Sequence, residues 1–565
     1  MNEPLRCVPR ESLIAGWDFS TGSVKCLAFA LDGKPVAEVR LPTDLSNGDP
    51  PNEAVCELNL MQLEGQARAS VRALAADLKA AGRLNDWIAG GISATHHTAG
   101  RIDRHHNQVR RAICWNDQTL AAFRTRGERR IGGVKRVREL IGGPWADRYT
   151  LSHLVKDEDA TYFPPDGWQR TYRILPHGPL AAGYLTGHFD VISVSSAAST
   201  GIMDLRHRVW CSAMLGALAS EEHRRLALSQ LPRIVDHLDP VGPLSESLAI
   251  EAGLESGHRP LVFPTSDDQQ AGLVGGGAVD SGQMAVILGN SAVVNSSSDE
   301  LPRSDRASGG SSLDLMRLNW GPYLWMRCYN NGAQFLDHIV GRRPDWTVLE
   351  ERARRVKPGC DGVSLMPFLR SEPSLKLTTA PGLSWSLKQP TDRGTRFRAS
   401  LEALAFLIAR GVEEHERAGQ HISRITVSGG IARSDLMCEI LASVLDRPLE
   451  RLESDEGPAL GAAVTALAAM ETHLRRRDQI EVPYTVADAV AQLVRFRARV
   501  EPNAAWIESY RRLRVEFDKR LARLQKEAGF SPSPVRAATT KRATPKSVNG
   551  ASRSKKARRR RSSES

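Results

Sequence analysis

A chain of 565 residues has room for two large domains or three medium ones, and its composition, 41% hydrophobic and 25% charged, is that of an ordinary soluble globular protein. No run of 18 uncharged apolar residues occurs and the opening MNEPLRCVPRESL has no apolar h-region, so the sequence argues against a membrane span and a secretory signal and predicts a cytoplasmic protein. The net charge is +11, but ten of those charges lie in Ser531 to Ser565, where eleven Lys and Arg face one acid, Glu564; the body is nearly neutral, which excludes a basic nucleic-acid-binding core.

In chain order, Leu13 to Leu41 reads as an apolar run LIAGWDF, a turn STGS, a second run VKCLAFAL, the turn Asp32-Gly33 and then PVAEVRL, a three-strand meander with tight turns. Met61 to Ala81 is predicted helical, and a short strand IAGGISA follows. His96 and His97 sit next to each other on a predicted strand and so point to opposite faces, while His105 and His106 fall in an exposed turn; the four are not read as a metal site. Ala181 to Leu205, rich in Ser and Gly, is placed near a cleft.

In PTSDDQQAGLVGGGAV, Ser266 with Gln269 three residues on fits a capping box. That puts Asp268 in the first turn of a helix, where the positive end of the dipole favours the ionised carboxylate and lowers its pKa. MAVILGNSAVVNSSS, Met284 to Ser298, then repeats the pattern of strand, small polar turn and strand, which predicts two related domains facing each other across a cleft. A helix over Arg398 to Ala418, the strand ITVSGG, a helix over Ser434 to Leu445, another from near Pro458 and a closing helix over Asn503 to Lys526 complete an α/β chain.

The tail from Ser531 reads as disordered, and its KKARRRRSS run as either a solubilising appendage or a nonspecific contact for nucleic acid, polyphosphate or anionic lipid. Eight cysteines without a C-x-x-C pair read as buried or incidental thiols.

Neither G-x-x-x-x-G-K-[ST] nor G-x-G-x-x-G occurs, so a nucleotide phosphate would need another kind of cradle. The hairpin from Asp18 to Lys25 offers one: an acid at a strand end, the hydroxyls of Ser20, Thr21 and Ser23, a glycine and a lysine, with backbone N–H groups converging on an anion. Gly289-Asn290-Ser291 is a second small polar turn able to face it. In SGGIARSDLM, Gly429 and Gly430 let a flat ring approach the backbone ahead of a helix N-terminus, although a routine strand-to-helix turn reads the same way.

Taken in this order, these segments resemble the FGGY family of carbohydrate kinases, within the actin/hexokinase/Hsp70-like superfamily. GWDFSTGSVK resembles the first phosphate motif, AICWNDQ the sugar-side segment, and DDQQAGLVGGGAVDSGQMAVILGNS the catalytic segment with the second phosphate turn. ITVSGGIARSDLMCEILASVLDRPLERLESDEGPALGAA resembles the adenosine-binding signature and VEPNAAWIESYRRLR the closing helix, so the resemblance runs from Leu13 to about Arg523.

The resemblance implies two ribonuclease-H-like domains, a sugar-binding one over 1–262 and a nucleotide-binding one over 263–528, with the tail at 529–565. ATP and sugar would meet in the cleft, with Mg²⁺ as cofactor, and the γ-phosphoryl would pass to a hydroxyl of a sugar or polyol. By the same resemblance Asp268 is the base, Asp18 organises Mg²⁺ directly or through water, and Thr21, Ser23 and Lys25 hold the phosphates. Gly289 and Ser291 meet the γ-phosphate, and Gly429 and Gly430 border the adenine. His97, Trp115, Asn116, Asp117 and Gln269 face the sugar, with Trp115 alternatively a core residue and Asp267 structural.

Two departures stand out: Asn290 where the family often has Thr, and Ala94-Thr95-His96-His97-Thr98 where xylulokinase-like members read G-Q-M-H-G. Asp268-Gln269-Gln270 is similar to glycerol kinases, whereas GWDFST and CYNNGAQFL are similar to xylulokinases. The expected substrate is a ketopentose such as xylulose, then glycerol or another pentulose or polyol; the alternative is a catalytically idle sugar- or nucleotide-binding regulator. A homodimer is compatible with the resemblance.

Overall fold

The predicted meander forms: Leu13–Phe19, Ser23–Ala30 and Pro35–Pro42 pair antiparallel in sequence order in the computed structural model, which describes residues 6–302, 313–341 and 344–529. The basic tail lies outside the described residues. Leu13–Phe19 is buried at every position because a helix covers each face. Trp17 Nε1 donates to Ser70 Oγ at 3.0 Å on helix Leu60–Ala80, and the adjacent Gly16 turns its other side to helix Gly457–Arg477.

Trp87–Ala94 runs parallel to Leu13–Phe19 and places Ser93 opposite Asp18. Beyond it the two-residue strand Ser266–Asp267 pairs so that Ser266 stands opposite Ser93. One row therefore crosses the sheet as Lys25, Asp18, Ser93 and Ser266. Residues far apart in sequence are thus aligned by register alone.

A second sheet repeats the arrangement. Gln283–Leu288, Ala292–Ser298 and Tyr323–Tyr329 form an antiparallel meander, and Arg424–Ser428 runs parallel to its first strand. Asp314–Arg317 extends one edge, and Leu449–Leu452 with Phe496–Val500 the other. The shared pattern bears out the reading of two related α/β halves.

The halves are joined through backbone contacts. A Cβ at Gly461 would lie 1.8 Å from the carbonyl oxygen of Ala271, and one at Gly275 would lie 1.8 Å from that of Gly457. Helices Asp268–Gly275 and Gly457–Arg477 therefore touch main chain to main chain, which only glycine permits. Helix Gly457–Arg477 also lies against Leu13–Phe19 and Trp87–Ala94 of the first sheet, while Asp268–Gly275 lies against Gln283–Leu288 and Ala292–Ser298 of the second, so the helix pair links the two sheets.

The long helix begins at Arg393 rather than Arg398, because the Asp392 carboxylate caps it by accepting from Thr395 N at 2.7 Å. Among the described residues no helix is long and apolar enough to cross a membrane.

Candidate active site

Asp268 opens helix Asp268–Gly275 as expected, but the capping box does not form. Ser266 is held in the strand row, where its Oγ accepts from Asn319 Nδ2 at 3.2 Å, so Asp267 becomes the N-cap and makes no side-chain cap bond. The expectation of a lowered pKa is corrected as well. Burial pushes the Asp268 carboxyl up to about 6, outweighing the N–H of His96 at 3.3 Å and the amide of Gln269 at 3.3 Å, both of which favour the ion. An eight-residue helix gives a dipole too weak to offset that desolvation.

Asp18 is 7% exposed, and Ser93 Oγ donates to its Oδ1 at 2.8 Å. Burial pushes it up to about 7, and the charge on Asp268 adds to the rise while Lys25 opposes it. The buried Asp18 carboxyl, repelled by the half-buried Asp268, is an oxygen donor suited to a hard cation such as Mg²⁺, whose charge removes the cost of ionising it. Asp267 is the buried neighbour: its Oδ1 accepts from Ser196 Oγ at 2.7 Å, and its N donates to Ser195 Oγ at 3.0 Å. The Ser-rich stretch Ala181 to Leu205 thus reaches the site.

The first hairpin differs from expectation in which groups it leaves for an anion. Ser20 Oγ accepts from Ser23 N at 3.2 Å and Gly22 N at 3.4 Å, so these two N–H groups close the turn and do not point outward. The half-buried Thr21 and Ser23 side chains remain in the turn. Lys25 Nζ lies 2.5 Å from Glu456 Oε2, and Arg40 lies 3.0 Å from the other oxygen. Glu456 immediately precedes helix Gly457–Arg477, so this ion pair ties the first hairpin to that helix.

In the second half, the turn at Gly289, Asn290 and Ser291 is braced from behind: Ala333 N donates to Gly289 O at 2.8 Å and Gly332 N to Asn290 O at 3.1 Å. Gly429 has φ 94°, and a Cβ there would lie 2.5 Å from Leu288 O, so the strand end at Ser428 can press on the turn only through glycine. Gly430 faces open space. Gly289, Asn290 and Gly430 border a cavity of about 820 Å³ that continues past Ile431, Phe397 and Trp346, with Glu350 and Arg433 at its polar edge. Its volume and its mix of apolar walls with polar edges suit a nucleotide.

The histidine pair departs from the sequence expectation. The strand ends at Ala94 and His97 takes φ 62°, so the two rings do not face opposite ways but lie 4.8 Å apart. His97 stacks on Tyr149 at 4.5 Å, and its Nδ1 donates to Ser199 O at 3.0 Å. Gln269 is fixed between Asp268 and Asn295, whose Nδ2 donates to Gln269 Oε1 at 3.2 Å. His97 Nε2, the Tyr149 hydroxyl and Asn295 Oδ1 are buried without a protein hydrogen-bond partner among the described residues.

Trp115 is 39% exposed, which removes the core reading, and Asn116 beside it is exposed too. The Asp117 carboxylate is already used: one oxygen accepts from Cys56 N at 2.9 Å, the other from Thr119 N at 2.9 Å and from the Thr119 hydroxyl. Asp117 therefore shapes the loop that carries Trp115 and Asn116. Sequence reasoning missed Glu456, Tyr149, Asn295 and the position of His96. Glu456, Asn295 and His96 lay inside quoted segments and Tyr149 in none.

Models for the FGGY family of carbohydrate kinases match this chain twice, the N-terminal domain over residues 13–275 and the C-terminal domain over residues 340–470. Xylulose kinase of Haemophilus influenzae is 25% identical over 381 residues, 67% of this chain and 74% of the relative. An L-fuculokinase of Escherichia coli is 27% identical over 380 residues, 64% of this chain and 73% of the relative. The crystal structure of gluconate kinase from Lactobacillus acidophilus superposes with a TM-score of 0.77 at 17% identity, covering 92% of this chain and 99% of that one. The chain belongs to the FGGY family of carbohydrate kinases and is an ATP-dependent, Mg²⁺-using phosphotransferase acting on a sugar-type substrate.

Proposed function

We propose that this kinase phosphorylates a neutral ketopentose, xylulose first, and that Asp268 receives the proton of the attacking hydroxyl. The observation that carries the reading is the neutrality of the buried donors and acceptors beside Asp268. His97 Nε2, the Tyr149 hydroxyl and Asn295 Oδ1 match a ligand rich in hydroxyls and without charge. Arg148, the cation whose field reaches His97, is taken by Asp314 at 2.5 Å, so an acid sugar such as gluconate finds no ready counter-ion there. The xylulose kinases among the relatives support the same choice.

Bound ATP and Mg²⁺ supply the phosphoryl group and neutralise its charge. The chain's own residues do the rest. Asp18 would hold Mg²⁺, directly or through water; Thr21, Ser23, Lys25, Gly289 and Ser291 would hold phosphates; Gly429 and Gly430 would border the adenine. Trp115, Asn116, His97 and Gln269 would orient the sugar. Phosphoryl transfer through a loose transition state asks the base mainly to orient the hydroxyl, and a carboxyl near 6 is ionised at neutral pH while still able to accept. On this reading residues 1–262 carry the sugar side, residues 263–528 the nucleotide side, and the enzyme works in the cytoplasm.

The test is ADP release by the purified protein across ketopentoses, ketohexoses, gluconate and glycerol. Xylulose is expected to give the highest kcat/KM. Glycerol, the second reading because of Asp268-Gln269-Gln270, would lead instead if that motif sets specificity, and a flat response across the panel would favour the idle regulator. Asp268→Asn should keep ADP binding and lose about 10²–10⁴-fold in kcat, the usual worth of a positioned base.

A further inference from the structure

His96 is 5% exposed and its ring lies between two carboxylates. Nδ1 is 3.6 Å from Asp268 Oδ1 and Nε2 is 3.5 Å from Asp267 Oδ2. Its own backbone N–H reaches Asp268 Oδ1 at 3.3 Å, so the residue grips the same oxygen twice. Neither Nε2 nor Asp267 Oδ2 has a hydrogen-bond partner among the described residues. One ring face lies on His97, which Tyr149 backs in turn.

A neutral imidazole has one N–H and one lone pair, whereas two ionised carboxylates offer only lone pairs. Whichever tautomer is present, one of the two contacts then sets lone pair against lone pair. A single added proton removes the conflict. With Nε2–H directed at Asp267, the Nδ1 lone pair faces the oxygen of Asp268, where a proton taken from a substrate hydroxyl would arrive.

We propose that His96 is a positioning residue that holds Asp268 and takes over, at Nδ1, the proton that Asp268 accepts from the sugar. This rests on the reading of Asp268 as the base. As the bond from the sugar oxygen to the γ-phosphorus forms and the bond from that phosphorus to the leaving ADP oxygen breaks, the hydroxyl proton passes to Asp268 and on to His96. Asp267 balances the resulting imidazolium, and the proton leaves to solvent with the products.

The charged and titratable groups facing His96 are Asp267 and Asp268 from the strand end and helix start, His97 beside it, Arg148 from the loop before helix Thr150–Lys156, and Asp314 from strand Asp314–Arg317. Of these, Asp267 and Asp314 favour the imidazolium. Arg148 opposes it but is paired with Asp314.

The test uses the full chain with the sugar that supports turnover, comparing His96→Gln and His96→Asn with Asp268→Asn. The His96 variants are expected to keep ADP binding and sugar KM within about threefold, to lose about tenfold or more in kcat, and to move the acid limb of the kcat profile by at least about half a pH unit. Native kcat and an unmoved limb overturn the proposal, as does a loss confined to KM. Turnover retained by Asp268→Asn sinks the base reading itself; an inactive Asp268→Asn beside a fully active His96→Gln sinks only the role of His96. Should neither His96 variant fold, ring ¹⁵N shifts of His96 in the native protein and in Asp268→Asn decide. A changed tautomer or titration midpoint supports the link, and identical behaviour overturns it.

Discussion

Asp18→Asn separates what the site does for the fold from what it does for catalysis. Burial raises the Asp18 carboxyl from an ordinary 3.8 to about 7. Three units at about 1.4 kcal/mol each make the ionised side chain a burden of about 4 kcal/mol on the folded state. The sign follows from proton counting. Between about pH 4 and pH 7 the folded protein keeps a proton that the unfolded chain has lost, so stability falls as pH rises through that window and levels off above it. Asparagine cannot ionise, yet its Oδ1 can still accept from Ser93 Oγ, so the variant escapes the decline. Asp268 titrates in both proteins and cancels to first order. At about 2.1 cal/mol/K per residue, 4 kcal/mol corresponds to about 3 °C if the chain unfolds as one unit and about 7 °C if the first half unfolds alone. The assay is thermal unfolding of both proteins without Mg²⁺ or nucleotide at about pH 4.5, 6 and 8, two points inside the window and one above it. The Tm of the variant minus that of the native protein should grow by about 3–6 °C from the lowest to the highest pH, while turnover is lost. A difference that does not change with pH would refute the account of Asp18 as an ion held at the fold's expense.

Two further substitutions probe the nucleotide side. Gly429→Ala forces a Cβ to within 2.5 Å of Leu288 O at a φ of 94°, so ADP affinity measured by calorimetry should fall about tenfold or more, and unchanged affinity would show that the turn can shift to make room. Glu456→Gln removes the partner 2.5 Å from Lys25; ADP should bind about three- to tenfold tighter at low salt with a steeper loss at high salt, whereas weaker binding would mean that the Glu456 contact builds the hairpin.

How much of this was legible in the sequence depends on the distance over which each signal acts. The meander, its repeat at Met284 to Ser298 and the helices ending in Leu445 and Glu527 follow from local periodicity and caps, and they form within a few residues of expectation. Asp268 at a helix start was legible for the same reason. Its pKa was not, because the dipole is a local term and the desolvation is supplied by packing. His96 and Asp268 are 172 residues apart in sequence and meet only because Ser266–Asp267 adds to the sheet beside Trp87–Ala94. The reading of His96 and His97 failed on one backbone angle, since a residue with φ 62° ends the strand alternation on which opposite faces depend.

The same contrast explains why the sequence speaks more clearly about ATP than about the sugar. The nucleotide side is built from turns whose requirement is backbone space, as at Gly429, and such requirements leave glycines in short contiguous motifs. The sugar side as proposed rests on His97, Tyr149, Ser199, Gln269 and Asn295, residues on separate segments that hold one another in place. No short motif spans them, so their specificity lies in the packing. Asp117 makes the point in reverse: it stands in the most sugar-like motif of the chain, yet its carboxylate is held by Cys56 N and Thr119. On the proposed reading a substitution there should act on the sugar through the shape of the loop that presents Trp115 and Asn116.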